Sequence, residues 1–373
     1  MRILYVRNAF SHDFGGAERL VVHFAKEALL NDMEALVVSR QKSLLAYAES
    51  LEVPHTTGWW WSQQDWSGWR VLGFPIYVLW QIVLFFWYLQ LIVRTKPSSV
   101  HLMSKDDFIA GTFAGRLLGK TVVWTDCADL KHLFRNHRTW FKNPVGKLVY
   151  LSAKFANVVT LVSNSEQALI EESLGKKVPS NFEVIHTAGK DESATPVERP
   201  KNTVIFCSTS RLVIAKGIQE IIAAFNSNEI KGLGYELWLV GDGPDKEQFL
   251  AEAKGNNSIK FIGQTPQPLS YVIASDVFVQ PTHHEGFSLS LAEAAMLGKP
   301  MIASNVGGNP ELVNETNGIL FTVKDVPDLI QAVLTLGKDA NLREKLGKQA
   351  RKDYKEKFDF AVIYKQKFLK IYR

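Results

Sequence analysis

The sequence predicts an α/β protein built from two domains, each a parallel sheet covered by helices. Short apolar segments alternate with longer helical patterns along the whole chain, which is typical of parallel strands joined by crossover helices. A polar stretch that contains Pro196 and Pro200 interrupts this alternation at residues 187–202. The 373 residues suffice for two domains of ordinary size.

The strand candidates divide evenly between the two halves of the chain. In the first half we expect strands at residues 2–7, 35–39, 99–103, 121–125 and 158–163. In the second half we expect them at residues 203–207, 236–240, 259–262, 277–280 and 300–303. We therefore place the first domain at 1–188 and the second at 200–355. Parallel sheets bind ligands at the carboxyl ends of their strands, so the two sites are expected to face one another across a cleft.

Composition and charge indicate where the protein is located and which kinds of molecule it can bind. The chain has only two cysteines, and Met1 leads directly into a strand pattern, which together predict a cytoplasmic location. Residues 1–190 contain 21 Lys and Arg against 16 Asp and Glu, so they carry the whole net charge of +5. A basic half can bind nucleic acid, an anionic membrane or a phosphorylated acceptor. No nucleic-acid motif accompanies the charge, so we expect no nucleic-acid partner.

The most informative segment is residues 284–294, where a strand gives way to a helix. Glu285 precedes the bend and Glu293 lies about one turn into the helix. Backbone N–H groups at a helix start favour an anion such as phosphate, and the two carboxylates can accept hydrogen bonds from hydroxyl groups. The segment therefore predicts a ligand that is part phosphate and part sugar.

The run Glu-Gly-Phe-Ser-x4-Glu at 285–293 resembles the paired-glutamate signature of retaining, nucleotide-sugar-dependent glycosyltransferases of group 1 (family 4). Further motifs of that family follow in the expected order, at Gly15–Arg19, Ser210–Gly217, Val240–Pro244 and Gly307–Glu311. The resemblance covers nearly the whole chain. It implies the GT-B fold, which has two Rossmann-like domains. It also implies that the terminal helix, at 356–373 here, packs on the N-terminal domain.

The resemblance also assigns roles in binding a nucleotide-diphosphate sugar. Arg211 and Lys216 are expected to stabilise the diphosphate leaving group, because paired cations neutralise its growing charge without a metal. Glu285 is expected to bind the transferred sugar, and Glu293 the ribose hydroxyls. The backbone N–H groups expected to contact sugar and phosphate are those of Gly286, Phe287 and Ser288. No metal site and no cofactor beyond the nucleotide sugar are expected.

Several glycines and one acid have alternative or substituted roles. Gly15 and Gly16 open the first helix and are expected near the donor phosphate or the acceptor, or form a tight structural turn. Gly241 either approaches the ligand or makes a plain turn, and Gly263 is expected to lie near the base. Family members often carry a histidine just after the strand at 121–125. This chain has Asp126 and Cys127 there instead, and Asp126 is the expected substitute.

The leading functional hypothesis is a retaining, metal-independent glycosyltransferase that uses front-face displacement. The alternatives are a soluble GT-B enzyme, which makes a sugar or glucan or epimerises a nucleotide sugar, and a non-catalytic nucleotide-sugar-binding scaffold. A nicotinamide dehydrogenase is disfavoured, because no Gly-x-Gly-x-x-Gly run follows the first strand.

Residues 71–93 contain only Gln81 and Gln90 as strongly polar side chains and are long enough to cross a membrane. A true span would split the first domain, so we expect a monotopic helix in the interface; a very apolar domain helix is the alternative. Aromatic and basic neighbours favour attachment to an anionic surface. The residues named for this contact are Trp59, Trp60, Trp61, Arg135, Trp140 and Lys142. Attachment to the inner face of the cytoplasmic membrane predicts a lipid-linked glycan or glycolipid acceptor.

Overall fold

The computed structural model describes residues 1–8, 15–58, 73–126, 130–134, 143–189 and 193–373. The chain divides into two compact units. The first unit comprises Met1–His186 together with Ile363–Arg373, and the second comprises Thr187–Val362. Each unit contains its own parallel sheet.

The first unit is built on a seven-stranded parallel sheet. Its strands are β1 (Arg2–Val6), β2 (Glu34–Ser39), β3 (His55–Thr57), β4 (Ser99–Leu102), β5 (Thr121–Thr125), β6 (Val158–Leu161) and β7 (Phe182–Val184). Their order in the sheet is β3-β2-β1-β4-β5-β6-β7. Strand β1 lies at the centre, where Ile3 pairs with Ala35 of β2 and with Ser99 of β4. Covered on both faces, β1 buries four successive apolar residues, as central parallel strands do.

Seven helices lie within the described part of Met1–His186. They are α1 (Gly16–Leu30), α2 (Lys42–Ser50), α3 (Phe74–Thr95), α4 (Phe108–Leu117), α5 (Leu130–Phe134), α6 (Pro144–Ala153) and α7 (Asn164–Leu174). Polar caps begin two of them: Asn143 accepts from the Gly146 N–H, and Ser163 accepts from the Glu166 N–H. The core includes Trp124 of β5, whose ring stacks on Phe108 at a centroid distance of 4.1 Å.

The C-terminal segment packs on the first sheet. The Tyr364 hydroxyl lies 2.9 Å from the Tyr5 hydroxyl of β1, and the Tyr372 hydroxyl lies 2.6 Å from Nδ1 of His101 in β4. His101 is fully buried, and burial lowers its pKa to about 3, so the imidazole is a neutral part of the core. Residues 363–373 therefore return to the N-terminal unit, in agreement with the predicted fold.

The second unit is built on a six-stranded parallel sheet. Its strands are β8 (Val204–Thr209), β9 (Tyr235–Val240), β10 (Ile259–Gly263), β11 (Val277–Gln280), β12 (Met301–Ser304) and β13 (Gly318–Phe321). Their order is β10-β9-β8-β11-β12-β13. The reversal of order between β8 and β11 is where doubly wound sheets bind ligands, at the carboxyl ends of the strands.

The helices that follow these strands complete the second unit and the chain. A single 3₁₀ turn (Ile214–Lys216) precedes α8 (Ile218–Asn226), α9 (Lys246–Glu252), α10 (Pro268–Ala274), α11 (Leu289–Met296), α12 (Asn309–Leu312), α13 (Val326–Lys338) and α14 (Ala340–Asp353). After α14 the chain continues through a π-helical turn (Tyr354–Phe358), α15 (Phe360–Ile363), a second π-helical turn (Tyr364–Phe368) and α16 (Leu369–Tyr372).

Candidate functional site

The second unit brings the predicted donor-site residues together at one edge of its sheet. Arg211 follows β8, Gly241 follows β9, and Glu285 follows β11. Because all these strands are parallel, the loops that carry these residues leave the sheet at the same edge. The predicted set is therefore a spatial cluster as well as a series of motifs.

Lys216 and Glu285 form the central contact of this cluster. Lys216 Nζ lies 2.7 Å from Glu285 Oε2, and the Gln280 amide donates to the same oxygen at 3.1 Å. The side chains of Lys216 and Glu285 are 29% and 16% exposed, so the pair is half-buried yet still open to solvent. It places a cation for phosphate beside an acceptor for hydroxyl groups.

The turn that carries Lys216 is packed tightly against the loop after β11. Gly217 has φ of +69°, and a Cβ at this position would lie 1.9 Å from the Pro281 carbonyl oxygen. The His283 N–H donates to the Ala215 carbonyl at 2.9 Å, and the His283 ring lies 2.9 Å from Glu220 Oε1. Glycine is thus required at 217, because only a bare backbone allows the two loops to approach and Lys216 to reach Glu285.

The Gly307-Gly308 motif holds Glu285 from the other side. Gly307 has φ of +53°, and its added Cβ would lie 1.8 Å from the Glu285 carbonyl oxygen. The Gly308 N–H donates to that same oxygen at 3.2 Å. The sequence marks this motif as characteristic of the family but does not disclose its role. The structure shows that it supports the backbone of the predicted sugar-binding glutamate.

The start of α11 is a capped helix terminus. Ser288 Oγ accepts from the Leu291 N–H at 3.2 Å, and Ser290 Oγ donates to the Thr209 carbonyl of β8 at 3.1 Å. Phe287 is buried and packs 5.7 Å from the ring of Phe358. Glu293 is 9% exposed, so it does not lie on an exposed helix face. The Ser288 side chain therefore caps the helix, and the ligand contacts expected of the backbone N–H groups at 286–288 remain a prediction.

Gly241 and Gly243 are required by close backbone approach. A Cβ on Gly241, whose φ is +133°, would lie 2.0 Å from the Ser210 carbonyl, and one on Gly243 would lie 2.2 Å from the Leu212 carbonyl. These contacts pack the loop after β9 against the loop that carries Arg211. By contrast, Gly263 has φ of +82° with no atom within 4 Å of an added Cβ.

Several of the buried polar atoms that lack a hydrogen-bond partner among the described residues lie at or just after the ends of strands of the second sheet. They are Thr209 Oγ1, Ser210 Oγ and Gln280 Oε1, and two more, Glu220 Oε2 and Asn309 Oδ1, lie on the helices that follow β8 and β12. Leaving such an atom unpaired costs about 1–3 kcal/mol, so a ligand that pairs with it gains that amount. The sequence analysis did not select these residues. The sequence does contain a signal that could have found some of them, namely a polar residue at the end of a buried strand. Thr209 stands at the end of β8 and Gln280 at the end of β11.

The first unit holds its predicted residues in structural hydrogen bonds. The Gly15 N–H donates to Glu18 Oε2 at 2.9 Å at the start of α1, and Gly16 is the first residue of that helix. Asp126 is fully buried after β5, and both of its carboxylate oxygens lie 3.2 Å from the Leu130 N–H at the start of α5. The catalytic role expected for Asp126 remains a prediction.

The residues named for membrane contact lie outside the described part of the chain. This applies to Trp59, Trp60, Trp61, Arg135, Trp140 and Lys142, and Cys127 lies outside it as well. The apolar segment itself is described, as α3. Among the described residues, α3 is the one helix whose length and composition meet the requirement for a membrane span, with a hydropathy of 2.0.

Both units have the architecture of GT-B glycosyltransferases. The crystal structure of Anabaena Alr3699/HepE in complex with UDP matches with a TM-score of 0.76 at 20% identity, over 100% of this chain and 99% of that one. At this identity the likeness establishes the fold alone. The predicted class, two Rossmann-like domains with a C-terminal helix, is confirmed.

The sequence comparisons match a known family over part of the chain. Residues 189–353 match the family of glycosyl transferases group 1. An uncharacterized glycosyltransferase of Methanocaldococcus jannaschii is 30% identical over 253 residues, which are 64% of this chain and 63% of that protein. A lipopolysaccharide core biosynthesis glycosyltransferase of Rhizobium meliloti is 29% identical over 219 residues, 56% of this chain and 62% of that protein. The chain thus spans less than two thirds of these relatives' length, and its residues 189–353 form a group 1 glycosyltransferase domain.

Proposed function

We propose that this protein is a retaining, metal-independent glycosyltransferase that transfers a sugar from a nucleotide-diphosphate sugar to an acceptor hydroxyl. The observation that carries the proposal is the Lys216–Glu285 pair, 2.7 Å apart at the carboxyl edge of the second sheet. A diphosphate needs cations where its charge develops, and a sugar needs hydroxyl acceptors. This edge supplies both, within a group 1 glycosyltransferase domain.

Each side chain of the cluster has a proposed role. Arg211 and Lys216 bind the diphosphate and stabilise the charge it gains as the glycosidic bond breaks. Glu285 binds hydroxyls of the transferred sugar, and Glu293 binds those of the ribose. Anabaena Alr3699/HepE, which shares the fold, was crystallised with UDP and with UDP-glucose. A uridine nucleotide is therefore the first donor to test.

The proposed stereochemical course is retention by front-face displacement. The departing β-phosphate oxygen accepts the proton of the acceptor hydroxyl as that hydroxyl attacks the anomeric carbon from the same face. Cations at the diphosphate favour this course, because they stabilise the charge of the leaving group. NMR of the product formed first distinguishes the outcomes: the donor's anomeric configuration supports retention, and the opposite configuration refutes it.

The donor site is tested by measuring binding across a panel of nucleotide sugars by calorimetry, with a chelator present. Wild type is compared with Glu293→Gln, which removes the charge at nearly constant volume, and with Glu315→Gln on the exposed surface of the same unit. We expect one donor to bind wild type and the Glu315 variant equally and to bind the Glu293 variant weakly. Binding that requires a divalent cation would refute metal independence, and no binding of any donor would favour the scaffold alternative.

We further propose that the protein acts at the inner face of the cytoplasmic membrane, on a lipid-linked glycan or glycolipid. The support is the outward face of α3. Buried positions follow one stripe of this helix, at Tyr77, Gln81, Leu84, Tyr88 and Ile92. The opposite face exposes Ile76, Leu79, Ile82, Val83, Phe86 and Val93. The surfaces of soluble proteins rarely expose so many large apolar side chains on one helix. Only 28% of the most apolar part of α3 is buried.

A monotopic position of α3 agrees with these two faces. The inward stripe packs in the core of the first unit, and the outward stripe is free to enter the headgroup region of a bilayer. Co-sedimentation with vesicles of phosphatidylcholine, with and without phosphatidylglycerol, tests the attachment. Binding that grows with the anionic lipid supports the proposal, and a protein that stays in the supernatant with both refutes it.

A further inference from the structure

Asp107 lies at a junction between three elements of the first unit. It occupies the N-cap position of α4, where an aspartate ordinarily accepts from an N–H of its own helix. The Asp107 side chain makes no such bond. Instead, Oδ1 accepts from the Tyr88 hydroxyl of α3 at 2.8 Å, and Oδ2 accepts from the Asn8 N–H, just after β1, at 3.1 Å. The fully buried carboxyl group thus joins α3 to the end of the central strand.

Asn8 and Gly15 flank the loop between β1 and α1, and both are held by buried polar groups. The Asn8 carbonyl accepts from Ser104 Oγ at 3.0 Å, so Asn8 is held through both its N–H and its C=O. Gly15 is held by Glu18, which in turn pairs with Arg7 at 2.8 Å. The hydrogen bonds of Asp107 and Glu18 therefore fix the backbone on both sides of this loop.

The helix at the other end of the junction is the one proposed to contact the membrane. Tyr88 belongs to the buried stripe of α3, and Phe86, two residues earlier, belongs to the exposed apolar stripe. A helix moves as a rigid element, so a displacement of its outer face on binding lipid also displaces the Tyr88 hydroxyl. That hydroxyl lies within hydrogen-bond distance of Asp107 and, through it, one further hydrogen bond from Asn8.

We infer that Asp107 is a positioning residue: when α3 binds an anionic membrane, Asp107 sets the position of the Asn8 backbone. The preceding residue, Arg7, connects this position to Gly15, because Arg7 pairs with Glu18 and Glu18 accepts from the Gly15 N–H. This inference rests on the membrane attachment proposed above. The glycine at position 15 begins the motif expected near the donor phosphate or the acceptor. The junction would thus order this part of the binding site when the enzyme is at the surface that carries a lipid-linked acceptor.

Amide hydrogen exchange on the full-length protein tests the inference. Exchange at Asn8 and at Gly15–Leu20 is measured with and without vesicles of equal parts phosphatidylcholine and phosphatidylglycerol, and co-sedimentation of the same samples measures binding. We expect vesicles to slow exchange at these amides in wild type. Tyr88→Phe should bind the vesicles as wild type does but lose the vesicle-dependent slowing, because its ring still packs while its link to Asp107 is gone.

Two further variants separate positioning from a general loss of structure. In Asp107→Asn the amide oxygen can accept from Asn8 and the amide group can donate to the Tyr88 hydroxyl, so we expect the slowing to be retained. Tyr77→Phe removes a hydroxyl from the same buried stripe about three turns earlier, and it should also behave as wild type.

The two proposals fail in distinguishable ways. Vesicle binding by wild type without slower exchange at Asn8 and Gly15 would overturn the role of Asp107 alone. The same holds if Tyr88→Phe retains the slowing. Failure of wild type to bind vesicles would overturn the membrane attachment and the inference together.

Discussion

The two units share a fold class but differ in the kind of contact that their surfaces leave open. One exposes an apolar helix face, and the other, in its described residues, has polar atoms without hydrogen-bond partners at the ends of its strands. In the first unit, α3 exposes six large apolar side chains, and unpaired buried polar atoms of the described residues, such as Asn8 Oδ1 and Gln81 Oε1, are spread over several elements. In the second unit, α13 exposes Gln331, Thr335 and Lys338 outward, while buried hydroxyl and amide groups at the strand ends lack partners. An exposed apolar face favours contact with lipid or with another protein, and buried polar atoms without hydrogen-bond partners favour a polar ligand. The comparison therefore agrees with the membrane contact proposed for α3 and with the donor site proposed at the second sheet.

The largest expected effect tests the polar site of the second unit. Lys216→Met should lower kcat/KM for sugar transfer by about 10²–10³-fold, because a cation at the developing diphosphate charge is lost. Lys348→Met is the matched control, since Lys348 is 76% exposed and pairs with Glu344 on the surface of the same unit. Steady-state kinetics on both variants make the comparison. Equal losses in the two would show that Lys216 has no special role.

The pH dependence of stability tests the buried polar groups of the first unit. Burial, and then the charge of Asp106, raise the pKa of Asp107 from its usual value to about 8, against the lowering effects of Tyr88, Asn8 and Arg7. A raised pKa stabilises the fold at pH below about 4, and this contribution is lost as pH rises towards 8. Asp107→Asn cannot titrate. The free energy of unfolding of wild type should therefore fall relative to the variant between pH 4 and 8, by on the order of a few kcal/mol.

Urea unfolding at a series of pH values measures this difference. A difference between wild type and Asp107→Asn that is constant across the range would show that the Asp107 carboxyl titrates as it does in the unfolded chain.

A third prediction compares two glycines of positive φ, one in each unit. Gly307→Ala should lower the free energy of unfolding by about 2–5 kcal/mol, because left-handed strain adds to a Cβ 1.8 Å from the Glu285 carbonyl. Gly119→Ala, with φ of +67° and no atom within 4 Å, should cost only about 1–2 kcal/mol. Urea unfolding measures both. Donor binding should weaken only in the Gly307 variant, and equal costs with unchanged binding would contradict the proposed support of Glu285.

The smallest expected effect is on membrane binding by the exposed apolar face of α3. Phe86, 63% exposed on α3, should contribute about 1.5–3 kcal/mol to membrane attachment, so Phe86→Glu should weaken vesicle binding about tenfold or more. Gln331→Glu, which adds the same charge to the outward face of α13, should leave binding unchanged. Co-sedimentation compares them. A Phe86 variant that binds vesicles as tightly as wild type would show that this face does not contact lipid.

The sequence by itself determined ten of the thirteen strands in the described residues, the two domains and the order of the donor-site motifs. It did so because buried parallel strands are continuous apolar runs, and because glycines and charged residues follow them at recognisable positions. Three strands escaped prediction: β3, β7 and β13. All three lie at sheet edges and have three or four residues, so pairing with a neighbour defines them more than their own composition does.

The tertiary structure decided which residues complete the sites. The sequence marks Gly307 as part of a family motif, yet only the fold shows that it packs against the Glu285 carbonyl. Asp107 follows another aspartate in an ordinary turn, and only the fold brings it to Tyr88 and Asn8. Periodicity and spacing record contacts along one element, whereas these contacts join residues that are distant in sequence. Their energies depend on distances that only the folded chain fixes.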